Sequence, residues 1–487
     1  MEIRKFKRVL VANRGEIAIR ILRACKELGI RGVAVYSEED KNSLFRTKAD
    51  EAYQIGRGKS PVGAYLSIDG IIELAKAKGV DAIHPGYGFL SENTEFARAC
   101  EEAGIVFIGP DCVMMDSLGD KVKSKIVAAK AGVPTIPGIA ETIPSVEVAL
   151  EFAEKCGYPV MLKAAAGGGG RGMRIVRSKD ELPEQFESAR SEARKAFGID
   201  DIFIEKYIER PKHIEVQVLG DNYGNIVHLY ERDCSIQRRH QKVVEFTPAL
   251  SITQEQRERI CADAIKIASA VNYRSAGTVE FLVDSDGNHY FIEMNPRIQV
   301  EHTVTEMTTG VDIVQSQILI AEGYSLDSEE VNLKSQADIK QNGYAVQCRL
   351  TTEDPVNGFA PDTGIITKYI SAGGFGIRLD AGNAAVNSEI SPYYDSLLVK
   401  VTAWARTFKD AVNKAKRALN EMNVKGVKTN RAFLLNVLNH PTFRAGMCDT
   451  GFIADNPNLL NISVKEDKEL KVLNFLGEKY VNGNRGI

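Results

Sequence analysis

The sequence predicts an α/β protein built from several domains. An N-terminal doubly wound parallel sheet comes first, then a central domain with a mobile glycine-rich lid, then a C-terminal α+β domain. Three observations lead there. Residues 7–110 alternate short apolar strands with helices that end at glycine, the pattern of a parallel sheet covered on both faces. The four glycines Gly167, Gly168, Gly169 and Gly170 lie between two strands, as a lid does, and not at a domain junction. A polar, irregular stretch over 323–341 precedes Gly343–Leu350 and a run of short, turn-rich strands. A chain of 487 residues is long enough for two to four such domains.

Taken in order, Arg8–Ala12 reads as a buried strand, 16–28 as a helix, 32–36 as a strand, 68–78 as a helix, and 81–84 and 106–108 as strands. Asn13-Arg14-Gly15 follows the first strand, where a dinucleotide fold would carry G-x-G-x-x-G; only one of those glycines is present, which excludes that site. The loop His84–Glu92, HPGYGFLSE, stands at the carboxyl end of a strand. It reads equally as a ligand loop or as a turn with packed aromatics. Helices follow at 121–131 and 145–156, and then a strand over 159–163 that ends in Lys163. The glycine run and the strand 173–176 come next, and backbone N–H groups freed of side chains suit a phosphate chain. No Lys-Ser/Thr follows, so this is not a Walker loop. In the strand 213–218, His213, Glu215 and Gln217 share one face. Residues 231–242, ERDCSIQRRHQK, read as a charged loop after the strand 226–230, either solvated or edging a cleft. Helices are expected over 252–274, 312–322, 408–422 and 430–439.

The chemistry centres on TVEFLVDSDGNHYFIEMNPRIQVE, residues 278–301. Asp286-Gly287 signals a two-residue hairpin turn, which sets Glu280 opposite Glu293. Two carboxylates facing each other repel unless a cation lies between them, and an oxygen-only pair suits Mg²⁺ with a nucleotide's phosphates. If the strand stays extended past Pro296, then Glu293, Asn295, Arg297, Gln299 and Glu301 share a face, a metal site leading into an anion-and-base site.

Composition narrows the classes. The net charge of -3 gives no field for nucleic acid or anionic membrane, and no apolar run reaches the length of a membrane span. The start is neither a signal nor a transit peptide, which points to the cytoplasm. The 8 cysteines form no C-x-x-C pair, so buried thiols in a reducing compartment are expected and zinc is not.

Taken together, VANRGEIAIRI (11–21), HPGYGFLSEN (84–93), GDKVKSK (119–125), GGGGRGM (167–173), ERDCSIQRRHQK (231–242), EMNPRIQVEHTVTE (293–306) and PYYDSLLVK (392–400) resemble the biotin carboxylases of the ATP-grasp superfamily. TTEDP (351–355), KGVKTNRAFLLNVLNHPTF (425–443) and the tail ending VNG lean toward the pyruvate carboxylase branch. The resemblance implies an N-terminal biotin carboxylase domain over 1–118, an ATP-grasp domain over 119–330 with its lid at about 135–208, and a C-terminal domain over 342–455. Residues 456–487 would be a linker toward a missing region.

The same resemblance implies roles for residues. Lys121, Lys163, Gly168, Gly169, Gly170, Glu205, Lys206, Ile208, His213, Gln237, His240 and Leu282 would bind ATP. Glu280, Glu293 and Asn295 would hold Mg²⁺ or Mn²⁺, and Lys242, Arg297, Gln299 and Val300 would hold bicarbonate. Glu301 would be the general base, working with the catalytic cations Lys242, Arg297 and Arg349; Arg349 and Tyr87 would face biotin. Biotin would arrive on a carrier domain and pass to a carboxyltransferase domain, on another chain or a missing C-terminal region, because the sequence has no A-M-K-M motif. Homo-oligomers are common in the family. Two other readings compete: an acyl-CoA carboxylase subunit or another ATP-grasp ligase such as a carbamoyl-phosphate synthase, and a nucleotide-binding scaffold without turnover. Glu301 beside an anion site argues against the scaffold.

Overall fold

The computed structural model describes residues 2–139, 141–164, 173–197, 200–462, 475–477 and 480. The N-terminal sheet consists of β1 (Arg8–Val11), β2 (Arg31–Tyr36), β3 (Glu51–Gln54), β4 (Ala82–His84) and β5 (Val106–Phe107), in the order β3-β2-β1-β4-β5. Every pairing is parallel. Strand order reverses beside β1, so the crevice for a ligand opens between the loops after β1 and β4. Those loops are Asn13-Arg14, which leads into helix α1 (Gly15–Glu27), and His84–Glu92. Helix α2 (Lys121–Lys130) starts the central region, capped by the Asp120 carboxylate on the N–H groups of Val122 and Lys123.

The lid region forms a separate antiparallel sheet of β6 (Val160–Ala164), β7 (Met173–Val176) and β8 (Ile202–Lys206), in the order β7-β6-β8. It has its own core around Val160, Leu162, Phe186 and Ile204. The expected lid glycines 168–170 lie outside the described residues.

The large sheet has eight strands: β9 (Lys212–Gly220), β10 (Ile226–Arg238), β11 (Gln241–Thr247), β12 (Ser275–Val283), β13 (His289–Asn295), β14 (Tyr344–Thr351), β15 (Ile377–Ala381) and β16 (Leu397–Ala405). Their order is β13-β12-β9-β10-β11-β14-β16-β15, antiparallel throughout. The stretch 323–341, expected as a boundary between domains, separates them along the chain only. β11 pairs with β14 across it, so one sheet runs from the central region into the C-terminal one. One face of this sheet is apolar and is covered at the C-terminal end by the helix Phe408–Glu421, whose Phe408, Ala411, Val412, Ala415, Ala418 and Leu419 recur at helical spacing. The other face is polar. The N-terminal domain packs with this region through Ile17, Ile21, Leu219, Ala276, Ile298 and Ile318. Among the described residues no helix is long and apolar enough to cross a membrane.

Three local expectations are corrected. Residues 231–242 are not a loop. They are the ends of β10 and β11, joined by the two-residue turn Arg239-His240, because alternate side chains find partners on the buried polar face. The hairpin after β12 does not turn on two residues: Asp284 N–H donates to the Asn288 carbonyl and Gly287 N–H to the Asp284 carbonyl, leaving a three-residue loop with Gly287 at φ +83°. Glu280 still faces Glu293, because a register shift between Glu280 and Phe281 leaves Ile292 unpaired and cancels the extra loop residue. Finally, β13 stops at Asn295 and the chain bends at Pro296-Arg297, so no extended strand carries Arg297, Gln299 and Glu301.

Candidate active site

Cross-strand register puts three carboxylates in a row. Glu280 on β12 stands opposite Glu293 on β13 and opposite Glu215 on β9. Such a row is repulsive unless cations enter it. Lys242 on β11 supplies one: its Nζ touches Glu215, lies 2.9 Å from Glu280 Oε1 and 2.8 Å from Glu301 Oε1. Arg232 on β10 supplies another. It is fully buried and donates from Nε to Glu215, from one terminal nitrogen to Gln217 and Thr305, and from the other to Thr278 and Gln299. Every N–H of the fork is used.

Glu280 is saturated. Its Oε1 accepts from Lys242, Asn295 and Gln299, each at 2.9 Å, and its Oε2 lies 2.9 Å from His213 Nε2. Burial alone would raise its pKa, but Lys242 and His213 hold it well below the usual carboxylate range. Glu301 stands just before helix α3 (His302–Thr309) without a side-chain capping bond, is 2% exposed, and is gripped on both oxygens. Lys242 takes one, and the Arg349 guanidinium on β14 takes the other at 3.0 Å. Against its burial, Lys242, Arg349 and Arg232 keep it ionised far below the ordinary glutamate range. Arg349 is held from behind by Glu245 of β11, whose own pKa burial pushes up.

The bend at Pro296 does not scatter the polar series. Arg297 donates to the Asn295 amide oxygen at 3.1 Å and lies 2.9 Å from Glu92 of the HPGYGFLSE loop. Gln299 bridges Arg232 and Glu280, and the Val300 carbonyl accepts from Lys400 of β16 at 3.2 Å. The switch-point loop thus reaches the same site through Glu92, while its Phe89 packs on Tyr65 with ring centroids 5.0 Å apart, so features of both readings are present. Asn13 donates to the carbonyls of Pro85 and Tyr87 at 2.7 and 2.8 Å, and the Tyr87 hydroxyl donates to Glu16.

The residues expected at the nucleotide are spread more widely. Lys163 pairs with Glu205 on the lid sheet, with Lys125 at 3.4 Å from the same carboxylate. Lys206 turns to the carbonyls of Gly157 and Tyr158. Ile208 is buried, and Leu282 lies cross-strand from His213. Gln237 donates to the Cys234 carbonyl and lies 2.9 Å from His213 Nδ1. His240 is exposed at its turn. Gly168, Gly169, Gly170 and the Lys121 side chain lie outside what is described. Among the described residues, ligand atoms cluster closely enough for a cation in two buried groups, His213 with Glu215 and Glu280, and Glu215 with Cys234 and Glu301; of the expected pair Glu280 and Glu293, only Glu280 is in either, and its neighbour there is Glu215.

Sequence reasoning missed Arg232, Glu245, Glu16 and Lys400. The signal was present for Lys400, a lone cation in the apolar run LLVKVTAW, and for Arg232 once 231–238 is read as a strand.

Known proteins resemble this chain along its whole length. Family models match three consecutive stretches: biotin carboxylase, N-terminal domain, at 5–115; carbamoyl-phosphate synthase L chain, ATP binding domain, at 120–329; and biotin carboxylase C-terminal domain at 347–455. The chain is 58% identical over its whole length to the pyruvate carboxylase of Bacillus subtilis, and 56% identical over 99% of its length to the mitochondrial pyruvate carboxylase of Rattus norvegicus. It spans only 42% and 41% of those relatives. A crystal structure of the biotin carboxylase subunit of pyruvate carboxylase matches at TM-score 0.83 and 51% identity, covering 94% of this chain and 99% of that one. The biotin carboxylase domain dimer of Hydrogenobacter thermophilus 2-oxoglutarate carboxylase, bound to MgADP, ADP and bicarbonate, matches at 0.86 and 51%, covering 95% and 100%. The chain belongs to the biotin carboxylases, ATP-dependent ligases that use bicarbonate to carboxylate biotin.

Proposed function

We propose that this chain carries the first half-reaction of a pyruvate carboxylase: Mg-ATP-dependent carboxylation, by way of carboxyphosphate, of biotin on a carrier domain. Carrier and carboxyltransferase would come from a C-terminal region or a second chain, the molecule would work as a dimer in the cytoplasm, and pyruvate would be the final acceptor. Identity of 58% to a full-length pyruvate carboxylase supports that acceptor; 51% identity to a 2-oxoglutarate carboxylase domain supports a second, 2-oxoglutarate. The observation that carries the catalytic reading is Glu301 held between Lys242 and Arg349.

In that reading Glu280, Glu293, Asn295 and Glu215 hold Mg²⁺, which neutralises phosphate charge when bound. Lys163, Lys121 and the lid glycines take the nucleotide's phosphates. Glu205, Lys206, Ile208, His213, Gln237, His240 and Leu282 surround the rest of the nucleotide. Arg297, Gln299, Lys242 and the Val300 backbone hold bicarbonate, with the guanidinium gripping its oxygens. Glu301 is a weak base while two cations sit on it. Substrates relieve this: bicarbonate draws Lys242, and the biotin ureido oxygen draws Arg349. Glu301 then takes the bicarbonate proton, and the bicarbonate oxygen attacks the γ-phosphorus as ADP leaves. Carboxyphosphate breaks to CO₂ and phosphate, phosphate removes the biotin N1 proton, and N1 attacks CO₂. Arg349 stabilises the enolate-like ureido oxygen, with Tyr87 lining the same pocket.

The test is ADP release by the 487-residue chain with Mg²⁺ and bicarbonate, with and without free biotin. Biotin should accelerate release and carboxybiotin should appear. Glu301→Gln should cut bicarbonate-dependent ADP release by roughly a hundredfold or more while nucleotide binding survives. Equal loss of both would remove the base assignment, and biotin-independent release even with a biotinylated carrier would remove the reaction.

A further inference from the structure

One buried charge pair lies beyond the residues given roles above. Lys400 is completely buried on β16, and Glu16 is buried in the first turn of α1. Their charged atoms lie 2.9 Å apart. Neither end stops there. Lys400 also donates to the carbonyl of Val300, one residue before Glu301, at 3.2 Å. Glu16 also accepts from the Tyr87 hydroxyl. The result is a continuous line, Tyr87–Glu16–Lys400–Val300, through segments remote in sequence.

We propose that Lys400 and Glu16 are positioning residues that fix Tyr87 and the Val300–Glu301 turn in one geometry, so that activation of bicarbonate stays coupled to carboxylation of biotin. The inference rests on the catalytic reading above and adds residues to it.

The physical case is one of cost and direction. A fully buried ammonium is expensive, and a Met or Leu of similar volume fills such a place without that cost. Stability therefore does not account for the pair. What the pair does supply is direction, since each member also touches one side of the site. Asn13, three residues before Glu16, holds the Tyr87 loop a second time by its backbone carbonyls, so that loop is fixed at phenol and main chain together. On the other side, Lys400 stands directly across the ladder from Arg349, and across the next ladder from Asp380. Arg349 is the residue that grips Glu301. Lys400 therefore abuts Arg349 through the sheet and the Val300 carbonyl by a hydrogen bond, the two elements whose spacing sets where a biotin oxygen and a bicarbonate can meet. Gly382, at the end of β15, sits against the start of α1, where a Cβ would come within 3.3 Å of the Glu16 nitrogen, so the two domains already touch at this point.

Loss of direction has a signature that loss of stability lacks. If the bicarbonate site and the biotin site shift against each other, ATP is still cleaved but the carboxyl group is not delivered. The experiment measures ADP and carboxybiotin together for Lys400→Met, Glu16→Gln and the double variant, in the full chain with free biotin. Each single variant should lower carboxybiotin formation by about 10- to 100-fold, the range seen when groups that orient a site are removed. ADP formed per carboxybiotin should rise severalfold, with KM for ATP within about twofold of wild type. The double variant removes both charges together, so it should melt no lower than the worse single variant and remain uncoupled. A folded double variant with the wild-type ratio overturns the proposal, as does a fall in rate that only follows the melting temperature. If the wild-type chain itself makes no carboxybiotin, the catalytic reading fails and takes this pair's role with it; retained coupling in the variants removes the pair's role alone.

Discussion

Arg232 shows what a single residue does here. It is not itself among the residues proposed to hold substrate, yet its five hydrogen bonds tie Glu215, Gln217, Thr278, Gln299 and Thr305 into one block under the site. Deleting it would leave Glu215 buried with Lys242 and, 4.0 Å away, His213 Nε2, and Lys242 would be drawn from Glu301 toward Glu215. Breaking a buried pair by removing one partner costs about 3–5 kcal/mol. Arg232→Met should therefore lower the melting temperature by roughly 5 °C or more and depress bicarbonate-dependent ADP release. Arg232→Lys, which restores charge without the planar fork, should recover some of the stability and little of the rate. An unchanged melting curve for Arg232→Met would show that the network carries no load. The sequence placed Glu215 and Gln217 on one face from their spacing alone. It could not place Arg232, because six charges in twelve residues look like solvated chain until the neighbouring strand is known.

At the scale of elements the two hairpins teach opposite lessons. In the 284–288 hairpin the sequence pointed to the right carboxylate pair through the wrong loop, since the bulge at Ile292 compensates an error that no local signal reveals. In the other, Arg239 and His240 both adopt left-handed backbone, at φ +49° and +64°, where Asn-Gly is the usual choice. Non-glycine residues there cost about 1–2 kcal/mol each and persist where function asks for their side chains. Replacing them, Arg239→Asn with His240→Gly, should leave the fold equally or more stable while raising the KM for ATP severalfold. Thermal melting and steady-state kinetics on the same protein check both halves. A KM for ATP equal to wild type would remove His240 from the nucleotide's surroundings.

For the whole molecule, most strands and helices of the N-terminal region were legible because apolar periodicity and glycine stops are local. The continuity of the eight-stranded sheet was not, because β11 and β14 meet across about a hundred residues of chain. Buried titratable groups in both the N-terminal domain and the large sheet set the response to acid. His84, at the end of β4, and His302, at the start of α3, are both completely buried. Burial lowers His84 to about 3; burial, with the nearby charge of Lys400, lowers His302 to about 3. Both are neutral in the folded protein, whereas an unfolded chain protonates histidine near about 6.5. Below that value the unfolded state binds more protons, so stability falls as pH falls, and keeps falling toward pH 3. Glu301 and Glu306 add to this. Despite burial, Lys242 with Arg349 and Arg20 with Arg378 hold them below the ordinary range, so their contribution is lost beneath about pH 4.3. Glu16 and Glu245, raised by burial, act in the opposite sense and soften the slope. The melting temperature should thus be level above about pH 7, decline from about pH 6.5, and drop most steeply below about pH 4.5. His84→Asn should make the decline below about pH 6.5 shallower, because an amide in the same place cannot take up a proton in the unfolded chain, while His302 still sets the onset. A melting temperature that stays level down to about pH 4.5 in the wild type, or a decline between about pH 6.5 and 4.5 that His84→Asn leaves equally steep, would show that these buried histidines do not govern acid stability.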